Sequence, residues 1–146
     1  MLRILLIMIG LLTLLQSTHA QTLDLSPYRW ENRIIVLIAE DAQNPILRKQ
    51  IKALNHLPEG LKERDLIVFV LSPKESTGPE GQIPGVDYEA IVQQFKAQDK
   101  PFNFQLIGKD GGTKLRRTDY VQPEEIFAII DAMPMRRSEM RRQKND

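Results

Sequence analysis

Two uninterrupted apolar runs constrain this chain more than any other feature. Ile34–Ala39 follows Arg33, and Leu66–Leu71 follows Asp65. Both are rich in β-branched residues, and neither alternates with polar ones. That pattern predicts strands covered on both faces, as in a parallel sheet. Ile35, Leu37, Phe69 and Leu71 are therefore expected in the core. Between the runs, Asn44-Pro45 offers an N-cap with proline at the first helical position. Leu47, Ile51, Leu54 and Leu57 recur at helical spacing, and Pro58 with Gly60 is expected to end that helix. The segment is thus a βαβ unit, whose crossover should be right-handed.

Downstream, Ser72–Val86 reads as a long proline- and glycine-rich connection, of the kind that is functional or mobile. Asp87 caps a second helix with Tyr88, Ile91, Val92 and Phe95 on one face. Phe102, Phe104 and Leu106 alternate with Asn103 and Gln105, which predicts a third strand with one apolar and one polar face. Asp110-Gly111-Gly112 signals a turn, and Thr113–Arg117 a charged edge strand. Pro123-Glu124-Glu125 opens a third helix that buries Ile126, Phe127, Ile130 and Met133, with Pro134 as its stop. The order β-α-β-α-β-β-α is that of the thioredoxin-like α/β fold, with the hairpin beside the first strand. At 146 residues the chain suits one domain, expected over 21–134.

The first twenty residues are expected to lie outside that domain. Arg3, the apolar stretch Ile4–Leu15 and a polar segment ending Thr18-His19-Ala20 have the three-part pattern of a secretory signal. Cleavage is expected between Ala20 and Gln21. The apolar stretch is short of the roughly 20 residues that span a bilayer, although an uncleaved anchor is the alternative. The expected location is therefore exported, periplasmic or secreted. Removing Arg3 from 20 basic and 19 acidic residues leaves a mature chain of zero formal charge. Such a chain has no global pull toward nucleic acid, and its mature part carries no segment expected to cross a membrane.

No cysteine is present. This excludes disulfides, thiol catalysis, iron–sulfur clusters and cysteine-based zinc sites. His56 alone has no Gly-x-Ser-x-Gly elbow to serve and no metal-binding repeat beside it. Gly108–Lys114 superficially suggests a phosphate loop but enters a strand, so a hairpin turn is the better reading. Trp30, beside Tyr28 and Arg29, is expected to pack at the sheet edge. No catalytic, cofactor-binding or metal-binding residue is assigned.

Residues 135–146 form a basic tail with Arg136, Arg137, Arg141, Arg142 and Lys144. It is expected either to be solvated or to bind anions. A further alternative is that Arg136 and Arg137 pair with acids such as Glu124 and Glu125.

Four blocks carry a resemblance: Tyr28–Arg33, Gly60–Asp65, Phe104–Lys114 and Met133–Met140. In this order they resemble the P-DUDES domain. That is a domain of unknown function in bacterial envelope proteins and in animal sushi-repeat and equarin-type matrix proteins. The resemblance implies a peroxiredoxin-related, thioredoxin-like fold, and the animal relatives imply adhesion. In that superfamily the reactive cysteine follows the first strand. The matching window here is Glu40–Pro45, without a thiol, and Pro101 resembles the cis-proline of thioredoxins.

The expected function is a cysteine-free binding module of the cell envelope. Its partner would be an unidentified envelope or extracellular protein or a polyanion, and no cofactor is expected. The expected surface comprises the carboxyl ends of the first two strands, the 72–86 connection and basic residues. Arg29, Arg33, Lys109, Arg136, Arg137, Arg141 and Arg142 are the candidates. The alternative is an enzyme with a non-thiol site at the end of the first strand, using Glu40, Asp41 or Lys109.

Overall fold

The first apolar run forms β1 (Arg33–Ala39), every residue of which is buried. A computed structural model describes residues 21–97 and 100–145 of the chain. The expected signal segment and its cleavage site after Ala20 thus fall outside the described residues or at their edge. The remaining strands are β2 (Leu66–Leu71), β3 (Ser76–Gly78), β4 (Gly81–Gln82), β5 (Phe102–Ile107) and β6 (Thr113–Arg117). They form one sheet in the order β4-β3-β2-β1-β5-β6. Strand β2 runs parallel to β1, with Arg33 opposite Leu66, and β5 runs antiparallel to β1 on its other side.

Among the described residues five α-helices accompany the sheet: α1 (Pro45–Asn55), α2 (Pro58–Glu63), α3 (Tyr88–Gln94), α4 (Pro123–Asp131) and α5 (Pro134–Gln143). Ile35, Leu37, Phe104 and Leu106 point to one face, where they meet Leu47 and Leu54 of α1 and Ile126 and Ile130 of α4. Ile34, Val36, Phe69 and Leu71 point to the other, against Ile91 and Phe95. The four expected core residues are all buried. The two expected caps form as well. Asn44 Oδ1 accepts the Ile46 and Leu47 amides at 2.9 and 3.1 Å, and Asp87 Oδ1 accepts those of Glu89 and Ala90 at 2.9 and 3.2 Å.

Several expectations are corrected. Pro58 and Pro134 open helices rather than only stopping them. Each sits at a first helical position, where proline lacks nothing the helix needs. Gly60, within α2, lets α4 approach closely, because a Cβ there would lie 2.8 Å from the Phe127 ring. The 72–86 connection contains the β3–β4 hairpin, which extends the sheet. β2 is only partly covered, with Ile67, Val68 and Val70 half-buried.

The polar face of β5 is not solvated. Asn103 donates to Ala97 O at 3.1 Å and Gln105 to Phe95 O at 2.5 Å, so both are buried with their hydrogen bonds made. Trp30 does not pack at the sheet edge. It is 56% exposed with φ 71°, a backbone conformation rare for a bulky residue. Pro101 follows a trans peptide bond.

Candidate functional site

The four blocks converge at one end of the molecule, where β1 and β2 begin. Arg33 starts β1 with its side chain 1% exposed. The chain arrives there because the Arg33 amide donates to Asp65 O at 2.8 Å, aligning the starts of β1 and β2. Its guanidinium grips Glu139 of α5 through Nη1 to Oε2 at 3.1 Å and Nη2 to Oε1 at 3.2 Å. Nη1 also donates to Arg64 O at 2.9 Å. Lys109, from the β5–β6 turn, reaches the same Glu139 at 2.9 Å and Asp65 at 2.8 Å. The turn itself is held when the Trp30 amide donates to Lys109 O at 2.7 Å.

A second half of the network belongs to Arg136, also 1% exposed. It donates to Glu63 Oε1 at 2.5 Å, to Glu63 O at 2.9 Å and to Asp131 Oδ1 at 3.2 Å. Arg64 closes the ring by donating to Asp131 Oδ1 and Oδ2 at 3.0 and 2.6 Å, with its guanidinium 4.3 Å from the centre of the Phe127 ring. Four cations (Arg33, Arg64, Lys109, Arg136) thus meet four carboxylates (Glu63, Asp65, Asp131, Glu139). Burial pushes the Asp131 and Glu139 carboxyls up, but their hydrogen bonds prevail and hold both below the usual carboxylate range. Arg64 and Arg136 act on Asp131, and Arg33 and Lys109 on Glu139.

This arrangement divides the seven candidate cations. Arg33 and Lys109 clasp α5 to the sheet through Glu139, Arg136 ties it to α2 and α4, and none of the three is a free surface. Buried guanidinium groups must be paired, and the expected tail supplies Glu139 for that purpose. The acid paired to Arg136 is not Glu124 or Glu125; Glu125 instead meets Arg117 at 3.2 Å. Arg29, Arg137, Arg141 and Arg142 are exposed. Arg29 stacks 5.3 Å from the Trp30 ring centre. On α5, Arg137 and Arg141 follow one another at i and i+4 to one side of Arg136 and Arg142 lies to the other, so the three exposed arginines spread over the outward side of the helix.

The carboxyl end of β1 is different. Glu40 and Asp41 are exposed, and Asp41 accepts the Gln43 amide at 2.9 Å. Tyr88 lies beside Glu40 in a shallow cleft, and burial, then the Glu40 charge, pushes its phenol above the ordinary value and favours the uncharged form. Lys109 is at the opposite end of the sheet, so the three residues considered for an enzyme are not brought together. Among the described residues no group of three or more His, Cys, Asp and Glu side chains converges as a metal site.

A family model described as a domain of unknown function, DUF4174, matches residues 24–139. The chain belongs to the DUF4174 family. This DUF4174 chain is 30% identical over 122 residues to the human sushi repeat-containing protein SRPX2 and 29% identical over 116 residues to the rat protein. The matches cover 80% and 77% of the chain but 26% and 25% of those relatives, so it spans about a quarter of their length.

Among solved structures it resembles the reduced 2-Cys peroxiredoxin of Plasmodium vivax, with TM-score 0.57 and 16% identity over 80% of this chain and 85% of that one. Plasmodium yoelii thioredoxin peroxidase I gives TM-score 0.55 and 17% identity over 80% of each chain. At such identities the likeness establishes the fold: a mixed α/β domain of the thioredoxin-like, peroxiredoxin type. No helix among the described residues is long and apolar enough to cross a membrane.

The sequence reading missed that the basic tail is a helix and that Arg33 clasps its Glu139; the exposed Arg137, Arg141 and Arg142 are among the expected candidates. The signal was present as Glu139 three residues after Arg136, a helical spacing within the apparent tail.

Proposed function

We propose that this DUF4174 chain is an exported, non-catalytic interaction module. Its outer α5 face, with Arg137, Arg141 and Arg142, meets a polyanion or an acidic envelope or extracellular partner. One observation carries this reading: α5 is held by its inner residues Arg136 and Glu139, while Arg137, Arg141 and Arg142 are exposed and make no salt bridge among the described residues, Arg141 donating only to Ser138 Oγ at 3.0 Å. A rigid helix presents those charges with less entropy to lose than a frayed tail would. The mature chain is neutral overall, so the rest of it carries a formal charge of −3 against these three arginines, and the attraction is local and screened by salt within about 8 Å at physiological ionic strength.

Export follows from the Arg3, Ile4–Leu15 and Thr18-x-Ala20 pattern, with cleavage after Ala20. A non-thiol enzyme at the end of β1 receives no support from Glu40 and Asp41, which are exposed and at the opposite end of the sheet from Lys109.

Vesicle co-sedimentation tests the reading. Phosphatidylserine vesicles should retain the mature protein at low salt and release it at high salt. The triple variant Arg137→Gln, Arg141→Gln, Arg142→Gln should keep its melting temperature and lose binding, at about 1 kcal/mol per residue. Equal binding by both proteins, or none by either to vesicles and heparin, contradicts the proposal.

A further inference from the structure

The cations around β5 and β6 fall into two groups. Lys109, Lys114 and Arg117 meet Glu139, Asp110 and Glu125. Arg29 and Arg116 are exposed and form no salt bridge among the described residues; Arg29 only stacks on the Trp30 ring. Both line one cleft of about 430 Å³, within the roughly 300–1,000 Å³ typical of small-molecule sites.

The fold directs both arginines there. Gln105 stands opposite Arg116 across β5 and β6, and its amide donates to Phe95 O on the face of the sheet that α3 covers. Residues directly opposite in a strand pair project to one face, so Arg116 stands on that face too. Arg29 follows the 3-10 turn Ser26–Tyr28 and reaches the β5–β6 turn, where a Cβ on Gly111 would lie 3.7 Å from its Nε. The acid in the lining, Asp110, is committed elsewhere: it binds Lys114 at 2.7 Å and the Gly112 amide at 3.0 Å. The two guanidinium groups are therefore left to an incoming anion.

The rest of the lining divides by chemistry. Ile34, Phe95 and Ile107 give an apolar floor, while Asn32, Gln105 and Thr113 bring amide and hydroxyl groups to the wall. A hydrocarbon chain laid in the cleft would cover those polar groups without pairing them. A polyhydroxylated ring suits them, because each of its hydroxyls both donates and accepts.

From two arginines without carboxylates and a polar wall over an apolar floor in one cleft, we infer a binding site for an acidic sugar, a hexuronate free or within a polysaccharide. Its carboxylate takes Arg29 and Arg116, its hydroxyls take the Asn32, Gln105 and Thr113 groups, and its C–H face lies on the floor. The site shares no residue with the outer face of α5 and does not rest on the function proposed for that face.

Glucuronate is the probe, titrated into the mature protein and followed by amide chemical shifts. Saturable shifts are expected at Arg29–Asn32 and Gln105–Arg116 at millimolar glucuronate. Glucose has the hydroxyls without the carboxylate, and cyclohexanecarboxylate has the carboxylate without the hydroxyls. Each should bind at least about tenfold more weakly. Arg29→Gln and Arg116→Gln should each keep the melting temperature and weaken glucuronate by about tenfold. The Arg137→Gln, Arg141→Gln, Arg142→Gln variant should bind glucuronate as the parent does. Trigalacturonate separates the two sources: tighter binding than the monosaccharide at the same amides means one residue of a chain, and equal binding means the free sugar. Absence of saturation, binding of either analogue as tight as that of glucuronate, indifference to either arginine substitution, or shifts confined to Arg137–Arg142 would each overturn the inference.

Discussion

The two ends of β1 are built from different chemistry. At its start, Arg33 is buried and bound to Glu139, and three further cations meet three further carboxylates. At its finish, Glu40 and Asp41 stand in solvent and Asn44 caps a helix. Open α/β sheets place their sites at the carboxyl ends of strands. Here the unusual side chains lie at the other end, and the four sequence blocks that carry the family resemblance lie there with them. The contrast teaches that the scaffold and the location of its specialised residues are separable, so an activity does not follow from the fold.

Breaking the clasp should have the largest effect. Glu139→Gln leaves Arg33 and Lys109 without their shared carboxylate, and loss of one partner from a buried pair costs about 3–5 kcal/mol. Denaturant unfolding should show a loss in that range, and a loss below about 1 kcal/mol would reduce the clasp to surface decoration. Gly60→Ala should follow, at about 1–3 kcal/mol, because its Cβ would press on the Phe127 ring and push α4 from α2. A neutral result would show that the Phe127 ring yields freely.

Acid should act through the same end. The Asp131 and Glu139 carboxyls are held below their unfolded values, so their contribution is full above about pH 4. It should fade as pH drops through the lower, folded values. Melting temperatures between pH 6 and pH 2, near those bounds of carboxylate titration, should fall less in Glu139→Gln than in the parent. Identical pH profiles would contradict the assignment. The smallest effect belongs to the other end. Glu40→Gln with Asp41→Asn should change stability by no more than about 0.5 kcal/mol, as for other solvated surface positions. A larger change would reveal a role for the β1 terminus.

Much of the scaffold was legible because it is written in local patterns. Ile34–Ala39 and Leu66–Leu71 declare buried strands by their lack of alternation, and Asn44 and Asp87 declare helix starts by chemistry. Prolines were harder, since Pro58 and Pro134 carry the same local meaning at a helix stop and at a first helical position. The polar residues of β5 misled because Asn103 and Gln105 find carbonyl acceptors around the end of α3, which no alternation pattern encodes. The candidate site was the least legible part. Arg33, Glu63, Asp131, Arg136 and Glu139 are scattered over more than a hundred positions, and a charged residue looks solvated until its partner is placed. Separation of Arg136 from Arg137 by one residue decides burial against exposure, and only the docked orientation of α5 resolves it.

Amide hydrogen exchange over residues 134–145 tests the central claim most directly. If Arg33 clasps α5 to the start of the sheet and Arg136 ties it to α2 and α4, the amides from Arg137 to Gln143 should be protected at neutral pH. Opening should then require a sub-global free energy well above that of a frayed end. That protection should collapse in Glu139→Gln while β1 and β5 stay protected. Exchange of these amides at the rate of an unstructured peptide in the parent protein would show a free tail and contradict the account.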